Sequence, residues 1–290
     1  MTDVDVVMIV STTDSHRSIA SACKPHLKDG QIIMLNPGHC GGALEIANIL
    51  RGKNGCGKDL IIAEAGDLMY VCRSHEVGTV FHPGRKAQVS VATLPASDID
   101  RLMDVLGPVF PCLKPAGNVL ATGFTGGGAM LHPIPCLMNI NKMDLAQSYD
   151  YYVEGITPHI ADIIELCDKE RVTVCRALGI DALPLIDVLV KTYKLEPKET
   201  LYDLIQSIES YRGIRNPTNT NHRFIVEDTV SGLVPLASIG RSLGISTPML
   251  DAFVHIASAV CGRDFWTEGR TAEKLGLAGK SLDEILALVC

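Results

Sequence analysis

The hydrophobic pattern of this chain changes period once, near residue 122, and that change limits the folds open to it. Before it, short apolar runs such as VDVVMIV (4–10) and QIIML (31–35) alternate with segments of helical spacing. Unbroken runs of that kind are buried strands, and strands separated by helices make a parallel, doubly wound sheet. After residue 122 the apolar spacing is helical almost throughout. The spacing predicts strands over 4–10, 31–35, 59–65, 68–73, 79–82, 88–93 and 118–122. It predicts helices over 15–27, 43–50 and 97–106, the last capped by Ser97. In the second part it predicts a helix over 128–143 bent at Pro133 and Pro135, and a long helix opening at Thr157-Pro158. Further helices are expected over 185–193, 200–209, 232–243 and 247–262, and a last one with a capping box of Ser281 and Glu284. The fold class expected is therefore α/β followed by all-α, with domains over 1–122 and 123–290.

The seam itself reads GFTGGGAMLHPIPCLMN (123–139), in which His132 stands among small and apolar residues. A histidine where two differently built parts meet is a candidate for proton transfer, because its unperturbed pKa lies near neutrality. A core histidine bonded to a backbone carbonyl would look the same on this stretch alone.

Composition narrows the class. With 47% hydrophobic residues and 20% charged, 290 residues supply a core without help from metal or disulfide. A net charge of −7 with no basic stripe argues against a nucleic-acid partner. No apolar run reaches the ~18 residues that span a bilayer, so no membrane partner is expected. The ten cysteines form no C-x-x-C pair and adjoin no histidine cluster, so neither a metal site nor a disulfide framework is expected. Reduced thiols and an acidic N-terminus point to the cytoplasm.

A Gly-rich turn, NPGHCGG (36–42), follows the second strand and opens a helix. Ligands of open α/β sheets bind at such carboxyl ends, where turns expose N–H groups to anions. A tight turn that needs positive φ is the alternative. No G-x-G-x-x-G occurs in the chain, so the turn alone does not establish a dinucleotide site.

Taken together, ordered segments along the chain resemble the opine dehydrogenase family of the octopine and nopaline type. They include LKDGQIIMLNPG (27–38), GGALE (41–45) and the Glu64…Tyr70-x-Cys72-Arg73 segment. Then come LHPIP (131–135), YYVEGITP (151–158), ETLY (199–202), YRGI (211–214), HRFIVED (222–228), GLVP (232–235), GRDF (262–265) and EGRT (268–271). The resemblance implies a Rossmann-like sheet followed by a helical domain like the C-terminal domain of 6-phosphogluconate dehydrogenase. It implies an enzyme that uses NAD or NADP to condense an amino acid with a 2-keto acid such as pyruvate and to reduce the imine. A cofactor-deficient homologue acting as a binding protein, or a direct keto-acid reductase, are the alternatives.

The resemblance also assigns residues. His132 takes the acid/base role and Asp228 partners it, as a carboxylate fixes an imidazole tautomer. Arg223 holds a substrate carboxylate, for which a guanidinium fork is suited; a structural pair with Asp228 or Glu227 is the alternative. Arg223 and Asp228 are five positions apart, so at least one is expected outside regular helix if both face one cleft. Cys72 is a substrate-pocket position. Pro37, Gly38, Gly41 and Gly42 contact the cofactor near its nicotinamide end. The family's first roughly 70–90 residues, at about 30 or more per βαβ unit, are expected to precede this chain. An open reading frame upstream of Met1 would encode them. Without them a sheet edge is uncovered, which leaves homodimer formation open.

Overall fold

The computed structural model describes the backbone of residues 3–290. The chain forms two units, one of residues 1–126, 274–276 and 280–290, the other of residues 127–273 and 277–279. The expected boundary at 122 lies four residues before this division, and the C-terminal helix Leu282–Val289 belongs to the first unit.

Five strands of the first unit form one sheet. They are β1 (Val6–Ile9), β2 (Ile32–Leu35), β3 (Ile61–Ala65), β6 (Val89–Leu94) and β7 (Leu113–Pro115), in spatial order β1-β2-β3-β6-β7. β1, β2 and β3 run parallel, because the helices His16–Cys23 and Gly42–Arg51 carry the chain back between them. A hairpin of β4 (Tyr70–Glu76) and β5 (Thr79–Arg85), paired as its own two-stranded sheet, intervenes between β3 and β6. That connection returns β6 antiparallel to β3. β2 and β3 are buried at every position, which is why they read as unbroken apolar runs. Ile32, Met34, Ile61, Ala63, Val89 and Val91 form one layer of the core with Leu102 and Leu106 of the helix Ile99–Leu106. Each such Ile or Leu contributes roughly 1.5–3 kcal/mol through burial.

Three local expectations are corrected. Residues 118–122 are no strand: Asn118 caps the helix Val119–Phe124, accepting from the N–H of Leu120 at 3.0 Å and Ala121 at 3.3 Å. The last strand is instead β7. Ser97 caps nothing: it lies in a 3-10 turn, Ala96–Asp98, and the helix begins after Asp98. The helix expected over 128–143 is three, Gly128–Leu131, Pro133–Met138 and Ile140–Asp144. Pro133 brings no N–H and its ring disfavours helical backbone before it, so the first of these stops at His132.

The second unit is helical, apart from an isolated bridge between Asp150 and Arg215. The helix Pro158–Ala177 buries Ile160, Ile164, Cys167, Val174 and Cys175. On the same helix Arg171 (1% exposed) meets Asp168 at 2.6 Å and donates to the Leu183 carbonyl at 2.7 Å. The other Asp168 oxygen accepts the Leu185 N–H at 2.6 Å and so anchors the helix Leu185–Tyr193. The helix Pro248–Cys261 ends at Gly262 with φ 62°. The helix Arg223–Asp228 runs into a π-helical turn, Thr229–Leu233, and then the helix Val234–Ser242.

Two substitutions probe these elements. Gly41 has φ 75°, and a Cβ there would lie 2.7 Å from the Leu275 side chain, so Gly41→Ala should cost about 1–3 kcal/mol in thermal unfolding. His222 caps the helix Arg223–Asp228, its Nδ1 accepting the Phe224 N–H at 3.2 Å. Burial, then the charges of Arg223 and His132, lower its pKa, so folding holds it neutral. The unfolded chain takes up that proton near pH ~6.5, so acidification through that value favours unfolding. His222→Asn keeps a capping oxygen and removes the titration. The fall in Tm between pH 7 and 5 should then be smaller than in the unsubstituted chain; an equal fall removes His222 from the acid response.

Candidate active site

His132 stands at the break that Pro133 makes, with φ −109° and ψ −68°, and its carbonyl accepts a 2.6 Å hydrogen bond from the Tyr151 hydroxyl. Its ring is held on three sides. Nδ1 lies 2.9 Å from Asp228 Oδ2. Nε2 lies 3.2 Å from the Tyr152 hydroxyl. One face stacks on Phe224, at 4.1 Å between centroids and 7° between planes. The side chain keeps 18% exposure, against 3% for Asp228. A carboxylate that deep requires a donor, and the imidazole Nδ1–H is one.

Close backbone approach makes the pair possible. A Cβ at Gly128 would sit 3.0 Å from Asp228 Oδ1 and 3.6 Å from His132 Nδ1. A Cβ at Gly232 would sit 2.6 Å from the Ala129 Cβ. The wider π turn starts immediately after Asp228. Such turns are uncommon and cluster at functional sites.

Arg223 and Asp228 both lie in one helix, about 140° apart around its axis. Arg223 reaches Glu227 at 3.7 Å, and its guanidinium lies 5.0 Å from the Phe224 ring centroid. With the Arg223 side chain 53% exposed, that ion pair is worth little, and the guanidinium is half in solvent. Its charge still acts on Tyr152.

An aromatic wall completes the surroundings. Tyr152 stacks on Tyr211 at 4.0 Å, Tyr151 meets Tyr152 edge-on at 4.8 Å, and Tyr193 meets Tyr211 edge-on at 5.4 Å. Burial pushes Tyr151, Tyr152 and Tyr211 well above the ordinary phenol range. Burial likewise holds the Cys136 thiol, 3.3 Å from the Tyr151 hydroxyl, up at about 12. These groups are protonated at neutral pH. Tyr151, Tyr152 and Phe224 lie inside the motifs YYVEGITP and HRFIVED, and in the sequence that position is the only signal that marks them.

The other expected site residues lie in the first unit. Cys72 is exposed on β4. The turn at Pro37, Gly38, Gly41 and Gly42 is buried. Gly38 N–H donates to the Ala65 carbonyl at 3.0 Å and Gly42 N–H to the His39 carbonyl at 3.3 Å. Ala43 N–H, at the next helix's start, donates to Glu64 Oε2 at 2.8 Å, while Thr122 donates to Glu64 Oε1 at 2.7 Å. Glu64 is fully buried, and a Cβ on Gly38 would overlap its carboxylate. The N-terminal end of this helix is therefore already capped by a carboxyl group of the protein itself. Asn36 Oδ1, buried in the same turn, has no hydrogen-bond partner. Among the described residues no cluster of three or more His, Cys, Asp or Glu could hold a metal.

Comparison with known proteins adds the family. The family described as NAD/NADP octopine/nopaline dehydrogenase, alpha-helical domain, matches residues 115–261. An opine dehydrogenase of Arthrobacter sp. (strain 1C) is 37% identical over 277 residues, which are 96% of this chain and 76% of that protein. A tauropine dehydrogenase of Arabella iricolor is 21% identical over 301 residues, covering 94% and 75% respectively. Among solved structures, octopine dehydrogenase with NADH and L-arginine superposes with a TM-score of 0.80 at 18% identity, over 99% of this chain and 78% of that one. The expected fold class, a Rossmann-like sheet followed by helices, agrees with that likeness. The chain is an NAD(P)-dependent oxidoreductase and belongs to the octopine/nopaline dehydrogenase family.

Proposed function

We propose that this enzyme condenses the amino group of an amino acid with a 2-keto acid of pyruvate's kind, with His132 as acid/base, Asp228 as its partner and Arg223 as the holder of a substrate carboxylate. The observation that carries this is the 2.9 Å contact between His132 Nδ1 and a carboxylate at 3% exposure. Asp228 fixes the tautomer with hydrogen on Nδ1 and stabilises the imidazolium once Nε2 is protonated. His132 can then take the proton that the amine loses as it bonds the keto carbon. It can return that proton to the carbinolamine hydroxyl as water leaves. Arg223, half exposed beside the Phe224 ring, offers donors in a fork that matches a carboxylate. The solved octopine dehydrogenase complexes with L-arginine and with pyruvate are in keeping with such a substrate pair.

On this reading the first unit serves the cofactor, as expected of residues 1–122, and the second the chemistry. The turn at Pro37, Gly38, Gly41 and Gly42 fits the nicotinamide end better than the phosphates. Its N–H groups at 38 and 42 are bonded within the protein, whereas the buried Asn36 oxygen offers an acceptor to a carboxamide. When bound, NADH or NADPH supplies the hydride that reduces the C=N bond. The ten free cysteines support the expected cytoplasmic setting.

The test is oxidation of NADH and NADPH with pyruvate and a panel of amino acids. Oxidation should require both the keto acid and the amine; turnover with pyruvate alone would make the enzyme a direct keto-acid reductase. His132→Ala and Asp228→Asn should each lower kcat by about 10²-fold or more. Near-normal kcat in both would remove them from the chemistry. Arg223→Ala should mainly raise the keto-acid KM, and an unchanged KM counts against a carboxylate clamp.

A further inference from the structure

Both nitrogens of His132 are occupied. Asp228 holds Nδ1 at 2.9 Å, and the Tyr152 hydroxyl lies on Nε2 at 3.2 Å. Phe224 covers one face of the ring in parallel stacking. A histidine so surrounded exchanges a proton with substrate only if a neighbour leaves or passes the proton on. Asp228 is buried on a helix and orients the ring. Tyr152 is 6% exposed, stacked on Tyr211 at 4.0 Å with 15° between planes and met edge-on by Tyr151 at 4.8 Å. Swinging it off Nε2 would undo both ring contacts, whereas its hydroxyl hydrogen turns freely about the C–O bond.

We propose that Tyr152 is the terminal member of a relay Asp228–His132–Tyr152, and that its hydroxyl is the group through which His132 passes protons to substrate. The inference rests on the acid/base reading of His132. In the dehydration step the C–O bond of the carbinolamine breaks and its electron pair leaves with oxygen. Tyr152 gives its O–H proton to that oxygen, so water departs, and the nitrogen lone pair closes the C=N bond. The phenolate oxygen takes the proton from imidazolium Nε2, which leaves neutral His132 with its Nδ1–H on Asp228. No proton or electron is left over. Burial, then the Tyr193 phenol and the Asp228 charge, raise the Tyr152 pKa, so the phenol carries its proton between turnovers.

The variant is Tyr152→Phe, which keeps the ring and removes the oxygen. In the cofactor-loaded enzyme kcat should fall by about 10²-fold, toward the value of His132→Ala, with NADH Kd unchanged. The double variant His132→Ala/Tyr152→Phe should be no slower than His132→Ala alone, because both changes cut one path. Normal kcat, a lower KM with kcat retained, or additive losses would overturn the relay. A readout independent of turnover is the 15N spectrum of the His132 imidazole at neutral pH. Loss of the Tyr152 donor should move the Nε2 resonance and leave Nδ1 little changed; an unmoved Nε2 resonance overturns the proposal even if the wild-type chain oxidises no NAD(P)H with any substrate pair. Should Tyr152→Phe not fold, difluorotyrosine inserted at 152 should move the basic limb of the kcat–pH profile to lower pH, and an unmoved limb overturns it.

Discussion

Asp228 cannot stay ionised at 3% exposure unless a donor is held against it, and much of the second unit's local architecture meets that need. The donor is His132, which stands where Pro133 stops a helix. The two residues lie 96 positions apart in sequence, so tertiary packing alone brings them together. Gly128 and Gly232 leave out side chains that would hold the backbones apart, and the π turn after Asp228 follows the same junction. Each of these features runs against regular helix; Pro133, Gly128 and the π turn adjoin the pair directly, and Gly232 packs on Ala129 beside Gly128.

Much of this was legible beforehand because the signals were local. Buried parallel strands leave no polar face, so β2 and β3 appear as apolar runs. Thr157-Pro158 and Thr247-Pro248 mark helix starts because proline's missing N–H costs nothing there. Where local signals conflicted, the reading failed. VLATGF after Asn118 is β-rich in composition, yet the cap and the packing make it helical. Asp168 and Arg171 have the spacing of an ordinary surface pair, and only the fold puts them inside, bonded to the Leu183 carbonyl and the Leu185 N–H. In the site, His132 and Asp228 stood out by residue type and motif. Tyr152 did not, because an aromatic side chain serves a core as readily as an active site and only its 3.2 Å contact separates the two roles.

The Gly-rich turn shows how one motif can serve two demands. Its sequence suggests an anion site at a helix start, and the carboxyl group of Glu64 occupies that position. The carboxylate holds the Ala43 N–H and the Thr122 hydroxyl and leaves no room for a side chain on Gly38. The glycines are thus explained by close approach and by the positive φ of Gly41, independently of any ligand.

The division of the chain bears on the order in which it can be made. The first unit holds β1 and also the helix Leu282–Val289, with Ile285 and Val289 buried. The second unit is encoded almost wholly between them. During synthesis on a ribosome, residues 127–273 are therefore complete before residues 280–290 of the first unit are made. The unit that holds the sheet thus includes a helix encoded only after the whole of the helical unit's main segment.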